Sequence, residues 1–340
     1  MAVISLIKYI ARMLPRAMQA ELRQHYRAFR DTLGVWSTGR KDAGWYCRFS
    51  GLAARPNRGI LQARIIKSYH RIEKGLALTN PRPGFGNDAI ATLIEDILAY
   101  RQKFGCDYVT SRALQTLAEY DRFNTDAGQP TNALAAASDK HGPVANDPIE
   151  GGTIEVTRAA IHQAGRRDLE AFFRSRYSIR QFSSTPVEEE LIEHAVKMAQ
   201  KTPSVCNRES GRVFLVSGKH DIARLLTFQN GNRGFGDQAD KLLIVTASAD
   251  CFLTVGERHQ AWIDGGMFAM SLIYALHSLG LGTCCLNWSV EPNTDQAFKE
   301  ASRIPEGQAI VMLVVIGHIP DQLRVAASAR RPLGEVLFRL

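Results

Sequence analysis

Apolar residues recur every three to four positions over residues 20–33, 61–76, 87–104 and 111–123. That spacing places one face of an α-helix against a core. In the third run Ile90, Leu93, Ile94, Ile97 and Leu98 share a face, and Asn87 or Asp88 can cap the start. No strand pairs or repeats stand out, so residues 1–124 read as a helical domain. Residues 125–152 lose the periodicity and are rich in Ala, Gly, Pro, Asn and Asp, which predicts a linker. From 153 to 340 the pattern alternates. A helical run covers 158–174, and Thr185-Pro186-Val187-Glu188 reads as a capping box opening a helix to Gln200. Strands are expected at 213–216, 242–247, 283–286 and 309–316. Residues 266–279 are apolar almost all round, which predicts a buried helix. The whole reads as α+β: a mixed sheet flanked by helices, preceded by a mostly helical N-terminal domain.

Charge changes this picture at one end. The formal net charge is +8, and residues 1–86 hold 16 Lys/Arg against 4 Asp/Glu. This concentration points to an anionic ligand or surface for the N-terminal segment. Ser5, Lys8, Arg12 and Arg16 recur at helical spacing among apolar neighbours, until Pro15 interrupts. Such a helix either lies on an anionic membrane surface or packs against its own domain or a dimer partner. Basic residues interrupt the apolar positions, so the segment does not read as a signal peptide, and no apolar run is long enough to span a bilayer. A second basic face, Arg64, Lys67, Arg71 and Lys74, precedes the Pro/Gly-rich stretch 75–86. It reads either as a docking surface for an acidic or phosphorylated ligand or as a solvated helix face. Aromatic platforms are not interleaved with these charges, which argues against nucleic-acid binding. Six cysteines show neither metal spacing nor a disulfide framework, and the histidines are scattered. No metal site is assigned, and a reducing cytoplasm is expected, with peripheral attachment at the inner membrane surface as an option.

The candidate chemistry lies in the second half. Arg176-Tyr177-Ser178-Ile179-Arg180 puts two guanidinium groups four residues apart around a hydroxyl, a compact anion-binding cassette. Downstream follow, in order, the turn-rich loop 202–211 with Pro203, Ser204 and Asn207, and the glycine- and amide-rich loop 229–236 with Asn232. Next come Asp264-Gly265-Gly266, then Leu286-Asn287-Trp288 after a strand, and finally a tail carrying Arg330. Gly280 and Gly282 lack the spacing of a dinucleotide loop and read as a helix end turning into a strand.

This order of segments resembles the FMN-dependent nitroreductase family over residues 170–340. The resemblance implies a homodimer with FMN at the interface, both subunits contributing to each site. It implies that Arg176, Tyr177, Ser178 and Arg180 hold the FMN phosphate and the pyrimidine edge of the flavin. Pro203, Ser204 and Asn207 would come from the partner subunit, and Asn232 would reach the ribityl or ring-edge region. Leu286, Asn287 and Trp288 would lie near the reactive ring, although a tryptophan there is often core. Arg330 would clamp the phosphate. NADH or NADPH would reduce FMN, which passes hydride through N5 to a small organic electron acceptor by a ping-pong route. No catalytic side chain is assigned, because hydride transfer to flavin needs no dedicated general base. Similar N-terminal extensions occur on nitroreductase-like proteins associated with bacterial polysaccharide biosynthesis. This implies an alternative: an FMN-binding regulatory or scaffolding protein of such an assembly, with little turnover.

Two positions depart from the family pattern. Its loop reads Asn-x-Gln-Pro-Trp, whereas this chain has Asn207-Arg208-Glu209-Ser210-Gly211. An ionised Glu209 would oppose the negative charge of reduced flavin, and Arg208 and Arg212 are expected to neutralise it. Losing the Trp is expected to open the substrate pocket or alter the dimer contact. A second basic residue often precedes the terminal arginine by two in the family; here that position is Ser328.

Overall fold

The computed structural model describes residues 15–138, 151–155, 157–158, 168–326, 328, 330 and 332–340. The basic amphipathic stretch before Pro15, most of the run 158–174 and residues 139–150 of the expected linker lie outside these residues. The chain divides into two compact units, Met1–Arg48 and Phe49–Leu340. In the first, helix α1 (Arg16–Phe49) carries Leu22, Tyr26, Phe29, Leu33 and Trp36 exposed at alternating four- and three-residue spacing.

The second unit opens with α2 (Arg58–Leu76), α3 (Asn87–Phe104), α4 (Tyr108–Asp126) and the short α5 (Ala133–Ala137). The start signals are legible. Asn57 accepts the Ile60 N–H at 2.8 Å, and Asp107 and Thr110 form a reciprocal capping box at α4. Their apolar faces meet in one core around Ile65, Ile72, Leu93, Ile97, Val109 and Leu117. Complete burial of each such side chain is worth about 1.5–3 kcal/mol.

After α6 (Leu169–Ser175), α7 (Glu189–Ala199) begins at Glu188 without a side-chain cap, later than the Thr185 box predicted. Strands β1 (Gly211–Val216), β2 (Lys241–Ser248), β3 (Leu281–Asn287) and β4 (Gln308–His318) form an antiparallel sheet in the order β1-β2-β4-β3. Helices α8 (Lys219–Leu226), α9 (Gln260–Ser278) and α10 (Pro292–Ser302) complete the fold. Strand periodicity of two divides the core. Leu243, Val245, Val314 and Ile316 pack with α7 and α9, while Leu242, Ile244, Leu313 and Val315 pack with α8 and α10. Helices on both faces explain why β2 is buried at every position. The sequence reads 266–279 as a buried helix, and Phe268, Ala269, Leu272, Ile273, Ala275 and Leu276 are buried; Met267 is exposed, as are Trp262 and Ile263 in the preceding turn. The inward face of α9 covers the sheet, and an apolar patch at its N-terminal end is left exposed.

Among the described residues, no helix is long and apolar enough to cross a membrane, and no group of His, Cys, Asp or Glu is arranged to hold a metal ion.

Candidate functional site

The arginine cassette is built onto the outer edge of β3. Ser178 forms a parallel bridge with Thr283, and the Ile179 N–H donates to the Thr283 carbonyl at 2.8 Å. That short pairing covers the exposed strand edge and makes the sheet locally mixed. Upstream, α6 is anchored to the C-terminal end of α9. Phe172 stacks near His277 at 4.9 Å and Phe173 near Tyr274 at 4.5 Å, and Ser175 Oγ lies 2.9 Å from His277 Nε2. Burial chiefly, with the Arg176 charge adding, holds His277 below the ordinary imidazole value. Burial raises the Cys284 thiol while the Arg180 charge opposes it. The Arg180 guanidinium sits 5.8 Å from the Phe235 ring centre. Arg330, in the tail, donates to the Ser328 carbonyl. Among the described residues no carboxylate pairs with Arg176, Arg180 or Arg330, so these three cations are available to an anion.

The loop with Pro203, Ser204 and Asn207 is fixed at the other end of α9. Buried Asp264 accepts the Val205 N–H at 3.1 Å and is held by Gln260 at 2.7 Å. Ser204 Oγ accepts the Glu209 N–H at 2.9 Å. Cys206, Asn207 and Glu209 all have left-handed backbone, at φ 50°, 52° and 47°. Each costs a non-glycine residue about 1–2 kcal/mol, so the surrounding bonds must over-determine the turn. Arg208 does most of this. Its fully buried guanidinium makes two bonds to Glu257, at 2.6 and 3.2 Å, and its Nε donates to the Val205 carbonyl. Burial would raise the Glu257 carboxyl, but Arg208 and the N–H groups of Leu253 and Thr254 outweigh it and hold the group low.

This corrects the expected neutralisation of Glu209. Arg208 is committed to Glu257, and Arg212 donates to the Glu209 and Gly211 carbonyls. Gly211 has its own reason: a Cβ there would lie 2.6 Å from the Phe268 ring, so the usual tryptophan does not fit this backbone position.

The remaining residues fall near the cassette with mixed roles. Asn232 spends its amide donor on the Leu226 carbonyl at 2.9 Å and on Gln229, closing its own loop. Leu286 is buried in the core shared with α8 and α10. Trp288 packs on Phe298 at 4.5 Å and donates to Asp295 at 2.7 Å, the core role. Asn287 is exposed; its carbonyl accepts from Gln229 and its amide donates to Ser289. Tyr177 is exposed beside the cassette. Asp264 and His277 are thirteen positions apart on α9, about 20 Å at 1.5 Å per residue. One chain therefore holds the arginine cassette and the Pro203–Asn207 loop at opposite ends of one helix.

Sequence reasoning missed the Arg208–Glu257 pair, the Asp264 anchor and the Gly211–Phe268 contact. Their partners lie 49, 59 and 57 positions away, and no local motif marks them.

Residues 173–230 and 222–318 match the model of the Nitroreductase family. This part of the chain is a nitroreductase-family domain. The match begins within α6 and ends at the last residue of β4. Similar solved structures include a protein from Desulfovibrio desulfuricans described as a nitroreductase in complex with FMN. It is 20% identical, with 52% of this chain and 98% of that one covered and a TM-score of 0.45. An FMN-dependent nitroreductase from Clostridium difficile is 21% identical, covering 50% and 98%, with a TM-score of 0.42. NfrA2 of B. megaterium is 24% identical, covering 51% and 74%, with a TM-score of 0.44. No curated protein matches the chain.

Proposed function

We propose that the chain is an FMN-dependent oxidoreductase that works as a homodimer. The observation that carries the reading is the division of the site along α9. Arg176 and Arg180, with no carboxylate partner among the described residues, lie toward one end, a rigid loop with exposed Pro203 and Asn207 lies at the other, and exposed Trp262, Ile263 and Met267 form an apolar patch beside that loop. Two copies meeting antiparallel across Trp262, Ile263 and Met267 would bring the loop of one beside the cassette of the other. The donor set suits FMN. Arg176 and Arg330 supply the fixed positive charge a phosphate needs, and Arg180 can face the polar edge of the ring. When bound, FMN supplies hydride acceptance from NADH or NADPH and donation to a small organic acceptor. The chain's own groups bind and orient it. Asn232 and Gln229 hold the neighbouring loop, and Arg208 with Asp264 sets the Pro203–Asn207 turn.

Arg180→Ala tests this reading. FMN retention is expected to fall about tenfold, or the flavin potential to drop, on loss of one charge-assisted contact. A variant unchanged in both removes Arg180 from the site.

One observation favours a second reading. Glu209 has no cationic side chain paired with it among the described residues, and a carboxylate near the ring disfavours negative charge there. This suits a protein that retains FMN with little turnover and serves a polysaccharide-biosynthesis assembly, its basic N-terminal segment meeting an anionic partner or the inner membrane surface. Bound flavin that NADH and NADPH both fail to bleach selects this reading.

A further inference from the structure

The flavin reading leaves one feature unused: a cleft of about 1070 Å³ between the α2/α4 helices and α7. That volume accommodates a drug-sized ligand. Its floor is apolar, with Ile66, Val196, Val213 and Phe268. Tyr69 of α2 and Tyr108 of α4 line one side, contributed from outside the nitroreductase domain, and the Arg112 guanidinium lies 5.3 Å from the centre of the Tyr108 ring. Lys197 and Lys201 line the cleft from α7 and the turn after it. They are four residues apart, and no carboxylate pairs with either among the described residues.

Two further facts bear on what fits. Ser210 is 1% exposed and lines the cleft, and its hydroxyl has no hydrogen-bond partner among the described residues. An unpaired buried hydroxyl is costly, so a polar atom of an occupant completes that wall. Two of the charges are already spent inside the protein: Asp264 holds the Val205 N–H and Gln260, and Arg208 holds Glu257. Glu193 and Glu209 remain, against Lys197, Lys201 and Arg212. The balance favours an anion.

We propose that this cleft binds a small organic acid, its carboxylate or phosphate held by Lys197 and Lys201 and its apolar, aromatic body resting on the Val196–Phe268 floor. If the flavin reading holds, this ligand is the electron acceptor. Pro203 and Ser204 line the cleft and belong to the loop offered to the partner's flavin. The helical N-terminal part then selects the acceptor through Tyr69 and Tyr108.

Calorimetric titration of the full chain with 2-naphthoate and with neutral 2-naphthamide separates the contributions of charge and ring. Naphthoate is expected to bind about tenfold tighter, the effect of two exposed cations on one anion. Lys197→Gln/Lys201→Gln should erase that preference and leave the amide unchanged; both lysines are exposed, so the fold is retained. Val196→Trp, filling the floor, should abolish binding of both probes. Equal affinities in the parent chain, no heat from either probe, or a preference that survives the lysine substitutions would overturn the proposal. Flavin absorbance of the same samples keeps the two readings apart. Flavin without naphthoate preference refutes the cleft alone, and naphthoate preference without flavin refutes the flavin reading alone.

Discussion

Arg208→Met is the substitution from which most follows. The Arg208 side chain is fully buried and Glu257 is 17% exposed, so the pair is shielded from water and from salt. Methionine fills much the same volume but leaves the Glu257 carboxylate with only the N–H donors of Leu253 and Thr254, at 2.6 and 3.3 Å. Breaking a buried pair from one side costs about 3–5 kcal/mol. Residual exposure and those two donors place this case at the lower end, about 3 kcal/mol. For a unit of this size the melting temperature should fall by roughly 6–12 °C. The pH dependence has a defined sign. The folded Glu257 carboxyl lies below its ordinary value, so its contribution is complete above the ordinary carboxylate pKa and is lost as pH falls through the folded one. Parent and variant should differ at pH 7 and converge in acid. Arg208 also holds the Val205 carbonyl, so the Pro203–Asn207 turn should loosen and FMN retention should fall with it. Urea titration followed by circular dichroism reads the stability, and flavin absorbance after gel filtration reads retention. A loss below about 1 kcal/mol with FMN retained would refute the argument that this pair sets the loop.

Three other perturbations test separate links. Met267→Arg places a charge on the exposed face of α9 and should leave the monomer folded while abolishing the dimer and its flavin; an unchanged sedimentation mass counts against the antiparallel pairing. Gly211→Ala drives a methyl to 2.6 Å from the Phe268 ring and should destabilise by about 1–3 kcal/mol, seen as a lower melting temperature; an unchanged one removes the steric reason for glycine. Asp107→Ala deletes the α4 cap and the acceptor for Tyr100, Arg58 and Gln62, for a loss of about 2–3 kcal/mol. Burial opposes but those bonds prevail in holding the Asp107 carboxyl low, so this loss should be full at neutral pH and vanish in acid.

Much of the fold was legible because it is written in local periodicity. The helices over 61–76, 87–104 and 111–123, and all four strands, emerge within a few residues of where spacing places them. The buried reading of 266–279 holds except at Met267. The sheet, α7 and α6 cover most of an almost wholly apolar helix, and the single chain leaves Met267, with Trp262 and Ile263 in the turn before, exposed. The candidate site was legible as residue types in order, since Arg176, Ser178 and Arg180 do sit together on the β3 edge. Its division between the two ends of α9 was not, because spacing along the chain carries no information about which end of a helix a distant loop meets. Trp288 and Leu286 show the converse. A side chain adjacent in sequence to a surface residue can turn into the core, and burial decides its role.

The visible absorption spectrum of the purified full-length chain, before and after anaerobic NADH and then NADPH, tests the central claim most directly. The account predicts flavin bands that copurify with the protein and bleach with at least one of the two reductants. A chain that carries no flavin, and takes up none from added FMN, would contradict it.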